Sequence, residues 1–251
     1  MSFKDFVDEN EFFALKEIER STKMTEFGDD EIVQYRFPMD GNPYSLFNPL
    51  TIDEQGHIIK LDFGYDIELF RLSKEIEKLS SLQILKIQNW SGKDFPHEFL
   101  QNLTQLEEFY IEGNLNNFPL TILRPKLKKF TLRSSLTSGT ITEIPAQIKN
   151  AVDLEELKIL YFQIHSIPSE LCELKHLKKL DLSYCPITTI PETIRSLVNL
   201  EELFLNGTQL TKIPRDALNI PSLKKIYLCQ TAIPNIKELC DKDPRLKRAF
   251  I

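Results

Sequence analysis

Histidine, cysteine and clustered acidic side chains are the groups in this sequence that could hold a metal ion or act as catalysts. The histidines never form the HxxxH or HExxH spacing that places two metal ligands on one helix face. They are His57, His97, His165 and His176. No two cysteines form a CxxC pair, so their pattern predicts neither a zinc site nor a redox centre, and we expect reduced thiols. They are Cys172, Cys185, Cys229 and Cys240.

The sequence also lacks the glycine motifs that bind phosphate or expose a nucleophilic serine. It contains no GxxxxGK[ST], GxGxxG or GxSxG stretch, and its eight glycines leave little material for a phosphate-binding loop. The acidic run at residues 29–31 is typical of a solvated loop. We therefore predict that the protein is not an enzyme and that it uses no cofactor and no metal ion.

Net charge, apolar runs and the N-terminal segment indicate which kinds of partner and which cellular location to expect. The net charge is −6, and residues 1–31 account for all of it, because they hold ten acidic against four basic side chains. This balance argues against general nucleic-acid binding, which needs Lys and Arg to neutralise phosphates. No apolar run approaches the roughly 20 residues that span a bilayer. The N-terminus has no basic segment followed by an apolar one, so we expect a cytoplasmic protein or one exported by a non-classical route.

Leucines recur at a fixed interval in the second half of the chain. Leu154, Leu177, Leu200 and Leu223 are spaced by 23 residues, and each of the first three opens a closely matching unit. Looser copies precede them and a degenerate copy follows, which predicts about eight units over residues 58–234. One looser unit carries an insertion at residues 136–140, which we interpret as tolerated.

Each unit combines a strand pattern with a turn pattern. Alternation in LxxLxL predicts a short strand whose leucines, such as Leu180 and Leu182, point to the same side. The Ile-Pro step that follows ends the extended turn, and residues 191–198 are predicted to form a short outer helix. A single unit cannot bury its apolar side alone, so the units must stack.

These units resemble the leucine-rich-repeat family, in its 23-residue class LxxLxLxxNxLxxIPxxIxxLxx. The resemblance implies an α/β solenoid, a right-handed horseshoe with a parallel sheet on its concave side and short helices on its convex side. In the family, the ninth residue is an Asn that hydrogen-bonds the turn backbone. Here Thr208, Thr231 and, more weakly, Cys185 are expected to replace it, whereas Trp90 and Phe162 cannot accept such bonds and predict local distortion.

A solenoid needs polar caps at its ends. We assign residues 1–57 to an N-terminal cap made of a helix at 2–20, begun by Ser2 and Asp5, and a hairpin leading into the first unit, with a further strand suggested at 33–37. The interpretation of 2–20 as a separate partner-binding helix stays open. Residues 235–251 are predicted to form a C-terminal cap helix, broken near Pro244. The apolar helix face predicted at the N-terminus comprises Phe3, Phe6, Val7, Phe13, Ala14 and Ile18.

The residues between the strand leucines are expected to point out onto the concave face, which the resemblance implies is the commonest ligand surface. Exposed aromatic side chains there favour an interface, since they bury a large area with little loss of entropy; packing against strand neighbours is the alternative. The predicted partner-binding residues are Tyr110, Lys158, Leu160, Tyr161, Asp181, Tyr184, Phe204, Asn206 and Tyr227.

Charges alternate between successive units at the second and third residues. Pairs of glutamates in one unit are followed by pairs of lysines in the next, from residues 107–108 to residues 224–225. We predict cross-strand ion pairs, although a surface that reads the charge of a partner is an alternative.

Together these patterns predict a non-catalytic module that binds a partner protein on its concave face. Two alternatives stay open: a bacterial effector or secreted virulence-type repeat protein that engages host proteins, and a structural protein that self-assembles, including as a weak homo-oligomer.

Overall fold

The computed structural model describes residues 8–22, 50–64, 69–92, 94–135, 139–212 and 215–247. Within them, ten strands form a single sheet in chain order. The first two strands are antiparallel and all later neighbours are parallel. The strands are β1 Leu50–Ile52, β2 Ile58–Phe63, β3 Ile84–Trp90, β4 Glu108–Gly113, β5 Lys129–Ser134, β6 Glu156–Leu160, β7 Lys179–Asp181, β8 Glu202–Phe204, β9 Lys225–Tyr227 and β10 Leu246–Lys247.

Strand alternation places one face of the sheet on the core. In β7 and the residue after it, Leu180 and Leu182 are fully buried while Asp181 between them is only partly buried. The same alternation recurs from β3 to β8, and the buried leucines, isoleucines and phenylalanines of neighbouring units stack into one continuous core. This is the parallel solenoid that the repeat predicts.

Short 3-10 helices pass along the convex side. In the regular units a proline with extended backbone precedes the helix, as Pro168 and Pro191 do at φ −69°, because proline fixes φ and cannot donate to a preceding turn. The predicted outer helix at 191–198 is correct in place but is a single 3-10 turn that buries Ile194. These helices are Lys74–Lys78, His97–Leu100, Leu120–Ile122, Ala146–Asn150, Ser169–Glu173 and Glu192–Ser196; the α-helices are α1 Glu9–Thr22, α2 Arg215–Leu218 and α3 Ile236–Lys242.

The ninth residue of the unit makes the predicted replacement bonds. The Thr208 hydroxyl donates to the Leu205 carbonyl at 2.8 Å, the Thr231 hydroxyl to that of Leu228 at 3.0 Å, and the Cys185 thiol to that of Ile159 at 3.3 Å. Trp90 makes no such bond. Its indole N–H is buried without a partner, and the β3–β4 register shifts between Ile87 and Trp90, which confirms the expected distortion there.

Helix α1 packs on the first unit. Ala14, Leu15 and Ile18 are buried against it, as a cap requires. Helix α1 begins one residue after Asp8, whose carboxylate accepts the backbone N–H of Asn10 at 3.0 Å. The predicted capping residues Ser2 and Asp5 lie outside the described residues. The prediction that Phe13 lies on the buried face is wrong. Phe13 is 53% exposed, because it lies one residue off the face that α1 buries.

The C-terminal segment is only partly helical. Helix α3 ends at Lys242, and residues 246–247 then form β10, which pairs in parallel with β9. The predicted break near Pro244 is present, but the prediction that the helix resumes is wrong at residues 246–247, where the chain turns back to cover the last strand edge. Residues 248–251 lie outside the described residues. The predicted strand at 33–37 and most of the insertion at 136–140 lie outside the described residues.

The predicted charge ladder forms. Lys128 pairs with Glu107 at 2.7 Å, and Lys178 pairs with Glu155 at 2.7 Å. Equivalent pairs join Lys129 to Glu108 at 2.5 Å and Lys224 to Glu201 at 2.7 Å. The alternation thus matches opposite charges across neighbouring strands, which confirms cross-strand pairing.

Candidate protein-binding surface

The open face of the sheet, the one turned away from the core, carries the predicted binding residues in rows. Parallel pairing in register brings equivalent residues of successive units side by side. The first row contains Tyr110, Thr131, Lys158, Asp181, Phe204 and Tyr227. A second row, two residues later in each unit, brings Arg133 beside Glu112 and Leu160.

Tyr161 and Tyr184 form a stacked pair just beyond the ends of β6 and β7. Their ring centroids are 4.5 Å apart and their planes differ by 3°. Both side chains are partly exposed. Neighbouring strands lie about 4.8 Å apart, so the strand spacing holds the rings close to stacking distance.

Both tyrosines have a left-handed backbone. Tyr161 has φ 65° and Tyr184 has φ 61°, and the equivalent residue of the next unit is Gly207 at φ 64°. Large L-residues rarely adopt this region, which costs on the order of 1–3 kcal/mol per residue. The repeat geometry imposes the conformation, and it turns both rings onto the open face.

A polar network leads from β4 to the stacked pair. The Tyr110 hydroxyl donates to the Glu112 carboxylate at 2.6 Å, and Arg133 Nη1 lies 3.5 Å from that carboxylate. The Arg133 guanidinium lies over the Tyr161 ring, with Cζ 5.6 Å from the ring centroid. Tyr110, at the far end from Tyr184, is therefore joined to the tyrosine pair through two charged side chains.

A second aromatic pair lies on β8 and β9. The Phe204 and Tyr227 rings stack at 4.1 Å with planes 7° apart, and Lys179 Nζ lies 4.9 Å from the Phe204 centroid. Lys179 and Tyr227 come from the strands on either side of β8, so they cover opposite faces of the Phe204 ring. Phe204 is partly buried as a result.

Asp181 lies between the two aromatic pairs. Its carboxylate accepts the Ser183 backbone N–H at 3.0 Å. Burial raises the pKa of Asp181, against the opposing effects of the Ser183 bonds and of the nearby Lys158 and Lys179. An acidic group on this part of the face is thus partly withdrawn from water.

Two predicted residues are not available to a partner. Tyr227 is 2% exposed, because Phe204 covers one ring face and Lys247 of β10 is its register neighbour on the other strand. Asn206 is 4% exposed, and its side-chain oxygen accepts the Cys229 backbone N–H at 2.8 Å. Asn206 therefore links adjacent turns. The expectation that both side chains are exposed is wrong.

The remaining predicted residues lie partly exposed on the open face. Tyr161, Asp181, Tyr184 and Phe204 lie close together along β6 to β8, with Lys158 and Leu160 beside them. Sequence reasoning missed Arg133 and Lys179. Reading the repeat register one residue past Leu132 would have found Arg133, which is equivalent to the predicted Leu160.

Metal-binding clusters and membrane-spanning helices are both absent from the described residues. They contain no group of three or more histidine, cysteine or acidic side chains arranged to hold a metal ion. No helix among them is long and apolar enough to cross a membrane. The four cysteines are unbonded to one another.

Comparison with known proteins places the repeat in a family. Residues 152–210 match the family model described as leucine rich repeat. This match, the recurring unit and the parallel sheet show that the described residues form a leucine-rich-repeat solenoid, with residues 152–210 as the part that matches the family. No curated protein sequence matches the chain significantly.

Several solved structures share the fold. An internalin from Listeria monocytogenes is 20% identical with a TM-score of 0.54, over 77% of this chain and 62% of that chain. The plant peptide hormone receptor RGFR1, in complex with RGF2, is 18% identical with a TM-score of 0.56, over 75% of this chain and 34% of that one. The Toll–Spätzle complex of Drosophila gives 15% identity and a TM-score of 0.56, over 66% and 23%. The chain thus spans less than two thirds of each of these proteins, and the likeness concerns the fold.

Proposed function

We propose that this protein is a non-catalytic module that binds a partner protein on the open face of its sheet, centred on β6 to β8. The observation that carries the proposal is the partly exposed stack of Tyr161 and Tyr184. Both tyrosines have a left-handed backbone, at a position where a regular repeat does not require an aromatic side chain. The repeat itself imposes this backbone on the equivalent residues of the next two units, Gly207 and Gln230, so the aromatic side chains are what distinguishes Tyr161 and Tyr184.

The composition of this surface is that of an interface centre. Tyrosine, tryptophan and arginine dominate binding energy at protein interfaces, and charged groups at the edge provide specificity. Here Tyr161, Tyr184 and Phe204 lie among ion-paired lysines and glutamates, with Leu160 beside them. The rings are already ordered by stacking, so these side chains would lose little conformational entropy when a partner binds them.

Two proteins of similar fold support protein binding as the proposed function. The plant receptor is described in complex with RGF2, and Toll in complex with Spätzle. We extend protein binding from those proteins to this chain as a proposal only. We further propose that the protein is cytoplasmic. As an alternative role, we propose a bacterial effector with an internalin-like fold that would bind a host protein through the same face.

The experiment compares two double variants in affinity capture from cell lysates. Tyr184→Lys/Phe204→Lys places two charges on the open face. Val152→Lys/Val198→Lys is the matched control, because these valines are each 49% exposed and lie in turns outside the sheet. Circular dichroism must first show that both variants are folded.

A partner retained by the wild type and the valine variant but lost by the Tyr184/Phe204 variant supports the proposal. Equal capture by all three proteins would overturn the placement on the open face. Loss of the partner only in the valine variant would move the interface to the turns. Sedimentation of the purified chain over a range of concentrations tests whether the partner is a second copy.

A further inference from the structure

Asp181 is an acidic side chain of the open face that forms no ion pair with another described residue. In register it lies between Lys158 of β6 and Phe204 of β8. Its Oδ1 atom accepts the Ser183 backbone N–H. Among the described residues no basic group forms an ion pair with it, whereas Glu156 and Glu202, one row away, are both paired.

The two nearest lysines are held elsewhere. Lys158 Nζ lies 2.5 Å from Glu156, and Lys179 Nζ lies 3.8 Å from Glu202 and over the Phe204 ring. Glu156, Lys179 and Glu202 form one row of the sheet, two residues before the row of Asp181. The ammonium groups are therefore drawn to one side of Asp181, and the tyrosine pair lies toward the other side.

The aromatic rings around Asp181 have their faces covered. Tyr161 lies on one face of Tyr184, and a Cβ placed on Gly207 would stand 2.5 Å from the other. Phe204 is covered by Lys179 and Tyr227. A partner ring could not stack into either pair, so recognition beside Asp181 depends on charge and hydrogen bonding at the ring edges.

Deepening the proposed function, on which it rests, we propose that Asp181 receives an arginine side chain of the partner. The carboxylate is partly removed from water without a cation in contact, and this costs free energy that a bound cation recovers. Burial also raises the pKa of Asp181, in the sense expected for a carboxylate that lacks a close counter-charge. Arginine fits better than lysine, because its planar fork can donate two bonds to a carboxylate and enter along ring edges.

The test uses a small probe and needs no partner. The intact chain, labelled with 15N, is titrated with N-acetyl-arginine amide and, separately, with N-acetyl-citrulline amide, which has the same shape but no charge. The reporter is the Ser183 backbone amide, because it donates to the Asp181 carboxylate at 3.0 Å. We expect a saturable shift of this amide with the arginine derivative and none with the citrulline derivative.

Two matched variants locate the effect. Asp181→Asn removes the charge while keeping an oxygen that can accept the Ser183 N–H. Asp216→Asn removes an equal charge on α2, outside the sheet. The saturable shift should be lost in the first variant and retained in the second. A shift that persists in Asp181→Asn, an equal response to citrulline, or no saturable response in the wild type would each overturn the proposal.

This outcome is separable from that of the proposed function. If the partner is captured through Tyr184 and Phe204 but the arginine probe fails, the binding face stands and the arginine assignment is wrong. If the probe binds at Asp181 and no partner depends on the open face, the site exists but the proposed function is wrong.

Discussion

Tyr184 lies flat over Gly207. A Cβ atom added at Gly207 would stand 2.5 Å from Tyr184 Cδ1, closer than real Cβ contacts. Gly207 also has φ 64°. The last ring of the tyrosine stack thus depends on the absence of a side chain in the next unit, and the stack ends there.

This relationship predicts that Gly207→Ala destabilises the fold by about 1–3 kcal/mol, through ring displacement and the left-handed backbone. Urea unfolding followed by circular dichroism measures the change. Gly64→Ala is the control, because a Cβ there meets nothing within 4 Å. Equal losses at both glycines would contradict the proposed clash. In a Tyr184→Ala background, Gly207→Ala should cost less, since only the backbone penalty remains.

Thiol reactivity should follow burial. Cys185 is fully buried, and burial raises its pKa to about 12, so almost no thiolate exists at pH 8. Burial also raises the pKa of Cys172. We expect the partly exposed Cys229 and Cys240 to react first with a thiol reagent. Mass spectrometry after brief labelling of the native protein checks the order; early modification of Cys185 would contradict the packing.

Helix α1 should show a pH-dependent attachment through Glu11. This side chain is 4% exposed and accepts the Ile58 backbone N–H at 2.6 Å, and burial raises its pKa above 4.5. The folded state therefore holds this proton more tightly than the unfolded state, so stability falls as pH rises from 4.5 through the folded pKa. Glu11→Gln, which keeps an acceptor oxygen, should remove this contribution.

The measurement is urea unfolding of wild type and Glu11→Gln from pH 4.5 to 7. Asp53, whose pKa is lowered by the His57 backbone N–H, works in the opposite direction. It is common to both proteins and cancels in the comparison. Identical pH profiles would show that Glu11 does not titrate differently in the folded state.

The charge ladder should specify the register of neighbouring strands more than it raises the free energy of unfolding. Glu155 and Lys178 are paired at 2.7 Å but are 44% and 56% exposed, and exposed pairs contribute roughly 0–1 kcal/mol. Glu155→Lys should shift the urea midpoint slightly. The exchange Glu155→Lys/Lys178→Glu should restore only part of the shift, because it re-forms this pair but sets like charges beside Lys128 and Glu201. A large loss that the exchange does not restore would point to a role beyond pairing.

Local sequence determines the repeated part of this protein. A 23-residue interval carries strand alternation, the Ile-Pro step and alternating charge in each unit, so the environment of Leu180 or Glu155 can be read from its own unit and one neighbour. The ninth-residue substitutions were also readable, because Thr208 bonds within its own turn and Trp90 cannot. These features depend on contacts that recur at short sequence distance.

Only the tertiary structure decided which surface residues remain available. Tyr227 is buried because the chain turns after α3 and adds β10 beside it, and Asn206 is buried because it bridges to the next turn. Arg133 reaches the tyrosine pair from the neighbouring unit, where its guanidinium lies over the Tyr161 ring. The repeat period cannot specify which side chains stay exposed, because their exposure depends on elements that do not repeat.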